Sequence, residues 1–157
     1  MSKLVKPLGW MLVVVACTAA AADISAPFAG TVTAKTRLGF DALVSRVEKA
    51  VADNKMGLVA QASASRGAAT RGVKIPGNIV LMVFRNDYAV RLLQASVPAG
   101  IEAPIRLYVT ENADGSASLT YRLPSAVFAP YGNRKLDEMA KELDVIFQNI
   151  VRDAVGG

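Results

Sequence analysis

Two arginines, Arg106 and Arg122, occupy matching places in two short segments, Ile105-Arg106-Leu107-Tyr108-Val109-Thr110 and Leu119-Thr120-Tyr121-Arg122-Leu123. Each segment alternates apolar and polar residues, the period of a strand with one buried face. Asp114-Gly115 lies between them and marks a hairpin. A two-residue turn there sets Val109 opposite Thr120 and mixes the faces. A three-residue loop, Ala113-Asp114-Gly115, instead pairs Val109 with Leu119, Leu107 with Tyr121 and Ile105 with Leu123, and it puts Gly115 where a left-handed residue is wanted. The second register is expected, because a slip of one residue exposes a whole apolar face. It sets Arg106 opposite Arg122, with Tyr108 and Thr120 beside them. Like charges facing each other across strands destabilise the pair unless something neutralises them. One reading is an anion held between the guanidinia, either a ligand carboxylate or a partner's acid. The other is that Glu102 or another local acid sits there, or that the arginines reach into water.

The chemistry left to this chain is narrow. It contains no histidine and one cysteine, Cys17. Met1 to Ala22 has the pattern of an export signal: Lys3 and Lys6, an apolar run from Leu8 to Ala16, and a small-residue exit at Ala20-Ala21-Ala22. The run is short for a membrane span. Cleavage after Ala22 removes Cys17; the alternative, cleavage before Cys17 in Val14-Val15-Ala16-Cys17, puts a lipid anchor on its sulfur. Either way the mature domain has no imidazole and no free thiol. Imidazole acid–base work, thiolate attack, zinc sites and disulfides are therefore not expected. No cofactor and no metal are implied. A domain of this length can rest on its core alone, burying roughly 70% of the surface its unfolded chain exposes. The formal charge of +5 falls by two when the leader leaves. The remainder favours anionic partners but is too small to argue for nucleic acid.

Other clusters read as structural. Arg66, Arg71 and Lys74 lie near Gly67, Gly72 and Gly77, but the stretch lacks both the phosphate-loop ending and the dinucleotide glycine pattern. Asp137, Glu138, Glu142 and Asp144 crowd one helix with Lys135 and Lys141 interleaved, which reads as a solvated face. Ser63 and Ser65 have none of the spacings of a serine nucleophile. Met82 and Met139 sit at core-like positions.

The elements that must position the arginines follow from periodicity. Residues 23–30 read as a spacer and Thr31 to Thr36 as a first strand. Phe40, Leu43, Val44, Val47, Ala50 and Val51 recur at helical spacing, and the helix is expected to end near Asn54. A second strand is expected over Met56 to Ala60. Between Ser63 and Asn78 either a short helix or a loop fits, with a turn at Pro76-Gly77. Ile79 to Phe84, apolar throughout, reads as a strand covered on both faces. The next helix is expected to be capped by Asn86, with Asp87 in its first turn and Ala89, Leu92 and Leu93 inward. After the hairpin, Leu136, Met139, Ala140, Leu143, Ile146, Phe147, Ile150 and Val151 mark a long final helix.

Val83-Phe84-Arg85-Asn86 followed by Ala89 resembles the strand, Asn-Pro and helix start of the bacterial family catalogued as domain of unknown function 302. Gly100-Ile101-Glu102-Ala103-Pro104-Ile105-Arg106-Leu107-Tyr108-Val109 is similar to that family's Leu-Pro strand, and Pro124 closes the next strand as the family pattern does. The resemblance covers roughly Thr31 to Pro124. Asp87 stands where the family has proline, and both residue types suit a first helical turn. The resemblance implies a small, self-associating α+β domain with no established activity.

The expected architecture is one α+β domain over residues 31–157, in the order β-α-β-(short α)-β-α-β-β-α, with an antiparallel sheet and helices mainly on one face. Cover for the second face of Ile79 to Phe84 suggests a homodimer. The expected function is that of a periplasmic, non-catalytic binding or interaction module for a small anionic or amphipathic ligand, with Arg106, Arg122, Tyr108 and Asn86 as its contacts. The alternatives are an enzyme built on carboxylate, tyrosine or arginine chemistry and a structural envelope protein.

Overall fold

The computed structural model describes residues 28–156; the leader, Cys17 and the spacer up to Pro27 lie outside them. Five strands form one antiparallel sheet in the order β1-β5-β4-β3-β2. They are β1 (Thr31–Lys35), β2 (Gly57–Ala62), β3 (Asn78–Phe84), β4 (Ile105–Glu111) and β5 (Ala117–Arg122). The helices are α1 (Phe40–Asp53), α2 (Ala64–Ala69), α3 (Asn86–Ala95), α4 (Pro124–Phe128) and α5 (Arg134–Val155), with short 3-10 turns over Pro98–Glu102 and Ala129–Tyr131. The fold is α+β, and helices pack against the sheet as the alternation in its strands requires.

The core lies between the sheet and the pair α1–α5. Leu81, Leu107, Val109 and Leu119 point into it from the central strands, and Leu43, Val47, Phe147 and Ile150 meet them from the helices; all are fully buried. Burying each such side chain contributes about 1.5–3 kcal/mol. Helix α5 starts where the side chain of Asn133 accepts hydrogen bonds from the backbone N–H groups of Lys135 and Leu136. The same side chain donates to the Ala95 carbonyl at 2.9 Å, so one residue caps α5 and fixes it to the end of α3. Among the described residues no helix is long and apolar enough to cross a membrane.

Four expectations need correction. Leu93, expected to face inward from α3, is exposed, and Tyr88 is buried on that helix with Leu92. Strand β3 is not covered equally on both sides: Ile79, Leu81 and Val83 are buried, whereas Val80, Met82 and Phe84 on the opposite face are only partly so. The cap of α3 is Arg85, not Asn86, and it makes no side-chain cap bond. Asn86 is already helical because Arg85 instead clamps Asp87 through two hydrogen bonds of 2.8 and 3.1 Å. The acids of α5 are not simply solvated. Glu142 takes both nitrogens of Arg91 at 2.7 Å and the hydroxyl of Tyr88 at 3.2 Å, and Asp144 accepts from the Ser125 N–H at 2.9 Å. These bonds tie α5 to α3 and α4.

The Arg91 guanidinium, before any other influence, holds the Glu142 carboxyl below its ordinary value of 4.5. A carboxyl whose folded value is depressed contributes its stability above its unfolded value and loses it as pH falls through the folded one. Both side chains are about half exposed, so the bridge is worth at most about 1 kcal/mol. Urea midpoints of the parent and Glu142→Gln are expected to differ near neutrality and to converge as pH drops below 4.5. A difference that stays constant through the acid range contradicts this account.

Candidate functional site

The β4–β5 hairpin has the register that the alternation dictates. Leu107 pairs with Tyr121, Tyr108 with Thr120 and Val109 with Leu119. Asn112 N–H donates to the Ser116 carbonyl at 2.7 Å, leaving a three-residue loop. Gly115 takes φ +82° in that loop, a conformation that costs a side-chain-bearing residue about 1–2 kcal/mol. Asp114 completes it by accepting from both the N–H and the hydroxyl of Ser116.

Continuing this register sets Arg106 beside Arg122 on the face away from α1 and α5. Strand β1 flanks the pair, with Thr31 opposite Arg122, and β3 flanks it on the other side, with Met82 opposite Arg106. The next row along the sheet is Thr33, Thr120, Tyr108, Val80 and Ala62. Helix α4 returns over the end of β5 because Pro124 sits in its first turn, where proline's fixed φ and missing N–H cost nothing. Val127 from α4 and Glu102 from the 3-10 turn then close one side of a groove of about 230 Å³ over the arginines.

Arg122 is held from several directions but not saturated. Its Nη2 reaches the Ala126 carbonyl only at 3.5 Å, and its guanidinium carbon lies 5.5 Å from the centre of the Phe28 ring. Its Nε is buried and has no hydrogen-bond partner among the described residues. Leaving a buried charged donor unpaired costs more than a typical hydrogen bond gains, so such a donor calls for an acceptor. Arg106 is exposed. No ion pair within 4.0 Å involves either arginine among the described residues. Glu102 does line the groove, as one sequence reading allowed, but its Oε1 accepts from the Tyr131 hydroxyl at 3.0 Å. Burial and then this bond push the Tyr131 phenol above its ordinary range.

Of the four residues expected to bind, Arg106, Arg122 and Tyr108 share the groove, and Tyr108 is 40% exposed there. Asn86 does not join them; it is exposed in the first turn of α3 and lines no part of the groove. The basic glycine stretch is built into the fold. Ser63 caps α2, Arg66 faces Asp41 at 3.8 Å, and the Gly77 N–H donates to Glu111 at 2.7 Å. Among the described residues no three acidic or sulfur ligands stand close enough together to hold a metal ion. The groove's hydroxyls include Thr120, whose Oγ1 is 2.9 Å from that of Thr33. This lining suits holding an anion, with an apolar neighbourhood of Val80, Ile105 and Val127 for whatever the anion is attached to.

The profile of the family described as "Domain of unknown function DUF302" matches residues 31–154, nearly all of the described domain. The chain belongs to the DUF302 family. It is similar to a solved structure described as the crystal structure of the uncharacterized conserved protein DUF302 from Bacillus stearothermophilus. That likeness has a TM-score of 0.71 at 18% identity and covers 80% of this chain and 99% of the other. At such identity it speaks for the fold. No curated protein matches the sequence. In this family member Asp87 serves to hold Arg85. The hydrogen bonds from Arg85 are the main reason the Asp87 carboxyl titrates below its ordinary range, and they keep the guanidinium above the Tyr88 ring at 4.4 Å.

Proposed function

We propose that the protein is an exported, periplasmic, non-catalytic binding module whose ligand is a small anionic or amphipathic molecule held between Arg106 and Arg122. The observation that carries this reading is the buried, unpartnered Nε of Arg122 inside a groove that also holds Arg106. A carboxylate, sulfonate or phosphate there would satisfy that donor and relieve the repulsion between two cations on adjacent strands. The periplasmic address rests on the leader pattern of Met1 to Ala22. The apolar and only partly covered Val80, Met82 and Phe84 favour a second reading, a homodimer through this same face, in which a partner's acid plays the part of the anion.

The test uses 8-anilinonaphthalene-1-sulfonate, an anion with an aromatic body, and follows its fluorescence on titration. Arg122→Met and Arg106→Met are each expected to weaken binding by about tenfold or more, since a hydrogen bond to a charged group is worth about 1.5–3 kcal/mol. Equal affinity in the parent and both variants, with folding checked by circular dichroism, refutes the arginine site. A parent that is dimeric in sedimentation and binds no probe supports the second reading against the first.

A further inference from the structure

The groove does not end at the arginines. Its lining residues Val80 and Tyr108 also line a shallower trough of about 540 Å³ whose other walls are Ala62, Ser63, Ala64 and Asn78. The two depressions therefore adjoin at Val80 and Tyr108, and together they trace a path across the open face from β5 over β4 and β3 to the outer edge of β2. The residues along it change in character in one direction. Arg122 on β5 and Arg106 on β4 stand at one end, Tyr108 and Val80 form the middle, and Ala62 and Ala64 leave the far end free of charge. Three strand spacings separate β5 from β2, about 14 Å in all.

We propose that this channel binds a single-chain acyl carboxylate, with its head group on Arg106 and Arg122 and its tail laid across the strands toward Ala62. The inference rests on the anion reading above and adds the class of ligand and its direction. Charge complementarity places the head: the groove carries two guanidinia against one carboxylate, Glu102, and that carboxylate already accepts the Tyr131 hydroxyl. The tail is placed by the walls of the groove, since α4 and the 3-10 turn close its other side through Val127 and Glu102. A compact inorganic anion would satisfy the arginines but leave Tyr108, Val80 and the alanine floor unused. A straight apolar chain covers all of them.

Competition against the sulfonate probe with butyrate, hexanoate, octanoate and decanoate tests the proposal on the full exported chain. Affinity is expected to rise about threefold to fourfold per methylene, the worth of one buried CH2. Ala62→Trp, an exposed edge position where a large side chain is tolerated, should cut the gain for decanoate while leaving butyrate unchanged. Arg122→Met should weaken every member of the series by a similar factor. If all four acids compete equally, or if Ala62→Trp keeps the full chain-length dependence, the acyl channel is wrong while the anion site stands. If none of the acids competes and the probe itself is insensitive to Arg122, the anion reading falls with it. Chain-length dependence that appears only with lipid vesicles present, and not with the free acids, assigns the surface to a membrane and overturns the proposal.

Discussion

Phe147→Ala is expected to lower the stability of the domain by about 3–5 kcal/mol, the usual cost of emptying a fully buried aromatic site. In a domain of this size that corresponds to a melting temperature lower by about 10–20 °C. Phe147 has no solvent exposure and stacks on Tyr121, ring centres 6.0 Å apart and planes 25° from parallel. Tyr121 is the residue of β5 immediately before Arg122. Burial, and secondarily Asp144, raises its phenol above the ordinary range, so the ring is held in an apolar setting. Removing Phe147 leaves a void directly beneath the strand that carries the arginine. The substitution should therefore weaken binding of the sulfonate probe as well as stability, because Tyr121, on which Phe147 stacks, lines the groove. Phe147→Leu refills most of the space and should cost less than about 1.5 kcal/mol. A loss below about 1 kcal/mol for the alanine variant in urea unfolding, well under the usual cost of such a cavity, would show that α5 is not the support of β5 described here.

The parts of this arrangement that are legible in the sequence are those fixed by local rules. The hairpin register follows from alternation over two short segments and from one glycine, so the pairing of Leu107 with Tyr121, and with it the meeting of Arg106 and Arg122, can be read directly. Helix α5 declares itself by a buried stripe kept over most of its length, and α1 by a shorter one. What escapes depends on partners distant in sequence. Nothing near Thr31 says that β1 pairs with β5 rather than β2, yet that pairing puts Thr31 beside Arg122. Helix α4 is five residues long, too short for periodicity to speak, and only Pro124 hints at it. The unbroken apolar run of β3 misleads for a physical reason: its outward residues Val80, Met82 and Phe84 are apolar yet only partly covered on the open face. Such a run signals either burial or a surface that favours contact, and here one side of the strand is each. Asn86 has the right chemistry for a cap, but the bidentate Arg85–Asp87 clamp moves the helix start back by one residue.

Gly30→Ala should be nearly as damaging as the loss of Phe147, by a different route. Gly30 has φ +78°, and a Cβ built on it would lie 2.2 Å from the Cβ of Ala126 on α4. The left-handed backbone contributes about 1–2 kcal/mol of the penalty, and overpacking against α4 about 1–3 kcal/mol more. The two can be separated. Ala126→Gly removes the colliding carbon, and the next atom, the Ala126 Cα at 3.7 Å, is an ordinary contact. That change alone costs about 1 kcal/mol for glycine in a helix. In the double variant the steric share should return while the backbone share stays, giving a favourable coupling of about 1–3 kcal/mol between two residues far apart in sequence. Simple additivity of the two losses would mean that the chain enters β1 by another path. The site depends on that path: the Gly30 carbonyl accepts from the Leu123 N–H at 2.8 Å and so pins the start of β1 to the junction of β5 and α4. That junction lies between Arg122, whose Nε awaits an acceptor, and Val127, which walls the groove beside it. Pushing α4 outward by one methyl therefore opens the groove at the wall beside the proposed anion site, and the double variant should regain probe binding together with stability.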